Sequence, residues 1–122
     1  MNKHLVKRLG MNGFENILIF DKPETVHDFD GLVFDTTGAK APYDFIFSFI
    51  FSYGDMGNSI EEVHQKQLVV DGGRLYLAYP KAAFAFDTAK GTFFRDTSFK
   101  AMEIFEMEGN YNVIGFWKES LL

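Results

Sequence analysis

The sequence predicts a single α/β domain over residues 1–122, with a mostly parallel sheet that ends in an antiparallel hairpin. The first observation is its size and composition, because 122 residues with 47% hydrophobic and 24% charged side chains are typical of one globular domain. The second is the order strand, helix, strand between residues 43 and 79, which makes neighbouring strands parallel. The third is a natural turn at 108–110 between two apolar segments.

The N-terminal part of the sequence predicts short elements separated by turns. Apolar residues recur on one side of a helix over residues 3–9, and Gly10 ends it. The continuous apolar run at 16–20 predicts a fully buried strand. A short helix is expected to begin at 23–26, and residues 32–35 predict a second short strand.

The middle of the sequence carries the strongest strand pattern. Residues 43–51 place apolar side chains on both faces, which predicts a strand that is covered on both sides. Ser59 and Glu62 have the spacing of a capping box, so a helix is expected to follow. Residues 71–73 (Asp-Gly-Gly) predict a turn that ends this helix and leads into a strand over 74–79.

The last third leaves alternatives open. Residues 83–86 and 92–94 form either a hairpin or an irregular loop that leads into a helix near Asp96. After them we favour an antiparallel hairpin of 101–107 with 111–117. A helix that includes the first of these two segments is the alternative.

Composition also bears on compartment and partners. The chain has no cysteine, which removes disulfides, thiolate zinc sites and cysteine nucleophiles. The net charge of −5 comes without a basic stripe, so no nucleic-acid partner is expected. Apolar runs are shorter than the roughly 20 residues of a membrane span, and the N-terminus lacks a signal-peptide core. A cytoplasmic protein without a membrane partner is therefore expected.

Four segments resemble an uncharacterised bacterial family of small α/β domains. They are the first strand with its following proline (17–23), the start of the next long strand (43–47), the segment 73–81 that ends in Tyr-Pro-Lys, and the later pair Arg95 and Asp96. Members of that family look like trimmed relatives of the methyltransferase or Rossmann architecture. The resemblance implies a three-layer Rossmann-like sandwich, and it implies no activity.

A candidate binding rim follows from the expected topology. Ligands of open α/β sheets bind beyond the carboxyl ends of the strands. Acidic and basic side chains and a tyrosine stand at or near those ends, and together they would suit a small anionic or zwitterionic ligand. The alternative is that these side chains only pair with one another. The candidate rim comprises Asp21, Lys22, Tyr79, Lys81, Arg95 and Asp96.

The sequence argues against a bound S-adenosylmethionine. Such a cofactor requires a glycine-rich turn after the first strand, and residues 21–25 contain no glycine. Pro23 also removes one backbone donor from that turn. Asp35 stands where an acidic residue would hold ribose hydroxyls, but it is the only such feature. We therefore expect no cofactor and no catalytic residue.

Metal and nucleophile sites are not expected either. The three histidines lie far apart in the sequence, without the spacing of a helical metal site. Ser48 and Ser52 have no evident histidine partner that would activate them.

Phenylalanine is over-represented, with 15 residues of this type. An extended segment at 83–86 would turn two of its rings to one side, and two more would follow across a turn. We expect a homodimer that buries these rings, although they could instead fold back over the sheet. The rings concerned are Phe84, Phe86, Phe93 and Phe94.

The leading interpretation of the whole sequence is a non-catalytic, self-associating domain with a degenerate cofactor cleft. The alternative is a small-molecule or nucleotide-binding protein, including a methyltransferase-related enzyme.

Overall fold

A mixed sheet of five strands organises the part of the chain that the structure describes. The computed structural model describes residues 4–14, 16–37, 42–51, 68–80, 99–107 and 110–118. Helix α1 (His4–Leu9) and a 3-10 turn (Met11–Gly13) come first. The strands are β1 (Ile17–Phe20), β2 (Tyr43–Phe49), β3 (Val69–Pro80), β4 (Phe99–Met107) and β5 (Tyr111–Lys118), in the spatial order β1-β2-β3-β5-β4.

Strand directions follow the expected pattern. β2 and β3 are parallel, which confirms the prediction from the order strand, helix, strand, and β1 is parallel to β2. β5 runs antiparallel between β3 and β4, so the C-terminal hairpin is confirmed and the alternative of a helix there is wrong. In its turn Asn110 adopts φ 65°, a left-handed conformation that asparagine tolerates.

The predicted N-terminal helix is confirmed as α1. Leu5, Val6 and Leu9 are buried and face the sheet. Gly10 then takes φ 65°, the left-handed conformation in which helices commonly end.

Two predictions between β1 and β2 are wrong. No helix begins at residues 23–26, where isolated hydrogen-bonded turns occur instead, such as the bond from the Val26 N–H to the Pro23 carbonyl. The segment 32–35 is not a strand, since only Asp35 pairs with β1, through one bridge to Leu18. The physical reason is that the Leu32 N–H donates to the Phe29 carbonyl in a turn, so only the N–H and carbonyl of Asp35 bond to β1, at Ile17 and Ile19.

The predicted turn at 71–73 is also wrong, because these residues lie inside β3. Tyr43 pairs with Val69 but Phe45 pairs with Arg74, so β3 holds extra residues at this point. The glycines make a bulge in the strand, with Gly72 at φ 80°. The expected helix before it lies outside the described residues, as do the segments 83–86 and 92–94.

Both faces of the sheet carry buried apolar side chains, as the pattern of β2 predicts. On the side covered by α1, here called the aromatic face, the Phe45 and Tyr76 rings stack at 5.1 Å and 13°. Tyr76 lies so close over Gly115 that a Cβ there would be 2.5 Å from a ring carbon. The aromatic face is formed mainly by Phe45, Phe47, Phe49, Tyr76, Phe105 and Val113, and the opposite face by Leu18, Ile46, Leu75, Leu77, Tyr79, Ile114 and Phe116.

The described ranges contain neither a membrane-spanning helix nor a metal-binding cluster. None of the helices there has the length and hydropathy needed to cross a membrane. Within the same ranges, no group of three or more histidine, aspartate or glutamate side chains is placed to hold a metal ion.

Candidate functional site

The carboxyl ends of the three parallel strands meet at one edge of the sheet. Phe20 of β1 is level with Ser48 of β2, which is level with Leu77 of β3. The structure therefore brings three of the six predicted rim residues to this edge, namely Asp21, Lys22 and Tyr79. The other three, Lys81, Arg95 and Asp96, lie outside the described residues.

Asp21 leaves β1 in an unusual backbone conformation. Its φ is 56°, in the left-handed region that non-glycine residues rarely adopt, and its side chain is exposed. This conformation costs roughly 1–2 kcal/mol in an L-residue, although aspartate tolerates it better than most. The chain bends here, directly after the end of β1, and the residue is exposed at the rim.

Lys22 closes the turn that follows. Its Nζ donates hydrogen bonds to the carbonyl oxygens of Pro23 at 3.2 Å and Val26 at 3.0 Å. The Val26 N–H in turn donates to the Pro23 carbonyl at 3.0 Å. The ammonium group is thus directed into its own turn and is half-buried, rather than extended toward a ligand.

Tyr79 has a different environment from the other two. Its side chain is fully buried in the cluster opposite the aromatic face, together with Leu77 and Ile114. It pairs across the sheet with Asn112 of β5. Its ring is therefore part of the core beneath the rim.

A polar contact beside β1 was not predicted from the sequence. The Tyr43 hydroxyl lies 2.9 Å from Asp35 Oδ2 and 2.9 Å from the Thr37 carbonyl oxygen. The tyrosine is fully buried, and the Asp35 backbone bonds to Ile17 and Ile19 of β1. Tyr43 therefore fixes the Asp35 segment against the sheet, a role that no short-range spacing indicates.

Replacing Asp21 by glycine is expected to raise the free energy of unfolding by about 1 kcal/mol, because glycine adopts the left-handed conformation without strain. Urea denaturation monitored by circular dichroism measures the change. Glu24→Gly is the matched control, since Glu24 is exposed in the same turn without a positive φ and should lose about 0.5–1 kcal/mol. A loss of stability in Asp21→Gly would show that the carboxylate contributes more than the strain costs.

Comparisons with known proteins bear on the fold. No protein-family model matches the sequence, and no curated protein matches it significantly. Solved structures do match. Fibrillarin of Methanococcus jannaschii, a pre-rRNA processing protein, has a TM-score of 0.58 and 10% sequence identity, and the match covers 86% of this chain and 57% of the fibrillarin chain. The ribosomal protein L11 methylase of Lactobacillus delbrueckii subsp. bulgaricus has a TM-score of 0.57 and 11% sequence identity, and the match covers 95% of this chain and 65% of the methylase chain.

A third match carries ligands. The structure of the T. thermophilus 16S rRNA methyltransferase RsmC, in complex with AdoMet and guanosine, has a TM-score of 0.54 and 16% sequence identity. The match covers 88% of this chain and 36% of the RsmC chain. This chain thus spans between 36% and 65% of the length of these three proteins. Identities this low establish the fold alone. The predicted Rossmann-like α/β fold is confirmed, and it is the methyltransferase-like form of that fold.

Proposed function

We propose that this chain is a non-catalytic, self-associating domain of the methyltransferase-like fold, in which internal contacts have replaced the cofactor cleft. The observation that carries the proposal is the turn after β1. Residues 21–30 contain no glycine, and Lys22 ties the turn to itself through two carbonyl oxygens. A turn of this kind does not let backbone approach a cofactor as closely as a glycine-rich turn does.

The Asp35 carboxylate supports the same proposal. In a Rossmann-like domain the acidic residue beyond the neighbouring strand holds ribose hydroxyls. Here Asp35 Oδ2 accepts a hydrogen bond from the buried Tyr43 hydroxyl. The carboxylate therefore has a structural partner within the chain, as the Lys22 ammonium has in the turn after β1.

S-adenosylmethionine is expected not to bind. Isothermal titration calorimetry should give no binding heat, and the melting temperature should not change with the compound present. A ligand at a hundred times its Kd would stabilise the native state by about 2.7 kcal/mol, a shift that melting readily detects. An active methyltransferase of this fold, titrated in the same buffer, is the control. Micromolar affinity for this chain would overturn the proposal and favour the methyltransferase-related enzyme.

A second candidate function is small-molecule binding on the strand-end rim. The strained backbone of Asp21 favours it, because residues kept in costly conformations cluster at functional sites. Melting the wild type and Asp21→Asn against a panel of small zwitterionic metabolites tests it. A compound that raises the melting temperature of the wild type more than that of the variant would support the rim.

The proposal also includes self-association through Phe84, Phe86, Phe93 and Phe94, here called the late aromatic segment. These four residues lie outside the described residues, so their arrangement rests on the sequence alone. Light scattering should give a mass that rises with protein concentration in the wild type and stays at the monomer in a Phe84→Ser, Phe86→Ser variant. The reason is that burial of the rings between two copies removes an apolar surface that monomers seldom expose.

Ile104→Ser is the matched control for the dimer. Ile104 is an apolar residue of β4, 48% exposed, and it lies outside the late aromatic segment. Its variant should associate as the wild type does. A wild type that stays monomeric at all concentrations, or a dimer that only Ile104→Ser disrupts, would contradict the proposed interface.

A further inference from the structure

Three exposed side chains form a row across the C-terminal half of the sheet. Trp117 of β5 lies opposite Arg74 of β3 on one side and opposite Lys100 of β4 on the other. Directly opposite residues of antiparallel strands share a face, with Cβ atoms about 4.5–5.5 Å apart. Arg74 and Lys100 are exposed, and Trp117 is 38% exposed. This Trp117 row therefore presents an aromatic ring between two cations roughly 10 Å apart.

A third cation lies on the same face. Alternate residues of a strand point to one side, so Trp117 shares its face with Gly115 and Val113. Val113 pairs with Phe105, and the Arg8 guanidinium lies 4.2 Å from the centre of the Phe105 ring. Arg8 is thus about 13 Å from the Trp117 row along β5. Arg8 is therefore a separate cation on this face, beyond the row.

We infer that the Trp117 row binds single-stranded nucleic acid, with one base stacked on the indole and the two neighbouring phosphates on Arg74 and Lys100. Single-strand-binding surfaces combine aromatic platforms with cations that follow the phosphate backbone. A cation on each side of one ring matches a nucleotide that has a phosphate on each side of its base. The arrangement needs no base-specific contact, so it tolerates different sequences.

The shape of the surface selects a polymer over a free nucleotide. Small-molecule sites are concave and bury most of the ligand. The Trp117 row lies on adjacent strands of a sheet, where a free nucleotide could contact only one side of the site. A strand of nucleic acid instead supplies a phosphate on each side of the stacked base, one for Arg74 and one for Lys100.

The overall charge sets the strength of this binding. A net charge of −5 repels a polyanion, and the row is a local group of positive charges on this acidic protein. Glu103 is opposite Gly115 in register, three residues along β4 from Lys100. Affinity is therefore modest and rests on two phosphates and one stacked base.

The single tryptophan makes the test direct. Trp117 is the only tryptophan of the chain, so its fluorescence reports on this row alone. Titration with decathymidylate should quench it, and the logarithm of the binding constant should fall with the logarithm of salt concentration with a slope of about −1.4, or −0.7 for each phosphate. Arg74→Gln and Lys100→Gln should each reduce the slope by about 0.7.

Two further variants separate the row from general effects. Trp117→Leu, followed by anisotropy of a labelled oligonucleotide, should weaken binding about tenfold or more because stacking is lost. Lys7→Gln removes an exposed cation of α1 and should leave both affinity and slope unchanged. Circular dichroism and melting of each variant establish that it is folded.

Three results would overturn the inference. One is the absence of quenching by the oligonucleotide, and another is a salt slope that neither Arg74→Gln nor Lys100→Gln alters. The third is equal quenching by thymidine monophosphate or by polyglutamate, which would assign the row to a free nucleotide or to an acidic protein segment.

Discussion

Replacing Phe47 by alanine is expected to lower the free energy of unfolding by about 3–5 kcal/mol. Phe47 is fully buried in β2, with the ring of Phe29 at 5.0 Å, that of Phe49 at 5.3 Å and that of Tyr76 at 6.1 Å. Alanine would remove a ring around which these three pack and leave a cavity that strands on both sides cannot close. Urea denaturation of the variant and the wild type at one protein concentration measures the loss.

Val33→Ala is the control for that measurement. Val33 is 89% exposed, so its truncation should change stability by no more than about 0.5 kcal/mol. A loss below about 1 kcal/mol in Phe47→Ala would mean that β2 is not an interior strand with a packed aromatic face.

Gly73→Ala is expected to cost about 3 kcal/mol or more, at the upper end of what added atoms cost in packed sites. A Cβ at this position would lie 2.8 Å from the Val70 carbonyl oxygen and 3.1 Å from the Asp44 carbonyl oxygen. Both are backbone atoms, one in the β3 bulge and one in β2, so neither can rotate away as a side chain can. The substitution should force the two strands apart where their register changes, which thermal and urea unfolding would both detect.

Gly13→Ala is the matched control for the bulge. A Cβ at Gly13 meets no atom within 4 Å, and its φ is not positive. That variant should be neutral, or more stable by about 0.4–1 kcal/mol, because alanine restricts the unfolded chain. If Gly73→Ala proved as stable as Gly13→Ala, the close approach of β3 to β2 at the bulge would be wrong.

Long apolar patterns were sufficient to predict the sheet. The apolar run of β2 predicted an interior strand. The order strand, helix, strand predicted that β3 is parallel to β2. The turn before β5 predicted the hairpin with β4. In each case the prediction depended on the pattern of apolar residues over a whole strand, and burial of apolar surface provides most of the free energy that favours folding.

Short segments were predicted less well because one local signal fits two structures. A glycine pair allows a turn or a bulge, and Gly72 and Gly73 lie in a bulge because β3 pairs on both sides of them. The apolar segment 32–35 begins in a turn with Phe29 and pairs with β1 only at Asp35, which the residue types alone do not indicate. The candidate site depends on side-chain contacts over several residues, such as Lys22 with Val26 and Tyr43 with Asp35, and no pattern of residue types indicates them.

The position of β5 has a consequence for synthesis on the ribosome. β5 is the last described strand to be made, yet it lies between β3 and β4, which both precede it. At a synthesis rate of about 5–20 residues per second, β5 is made a few seconds after β3. During this time the hydrogen-bonding groups along one edge of β3 are unpaired. The nascent chain therefore passes through a period in which β3 and β4 both present open edges to other chains, and that period ends only when residues 111–118 leave the exit tunnel.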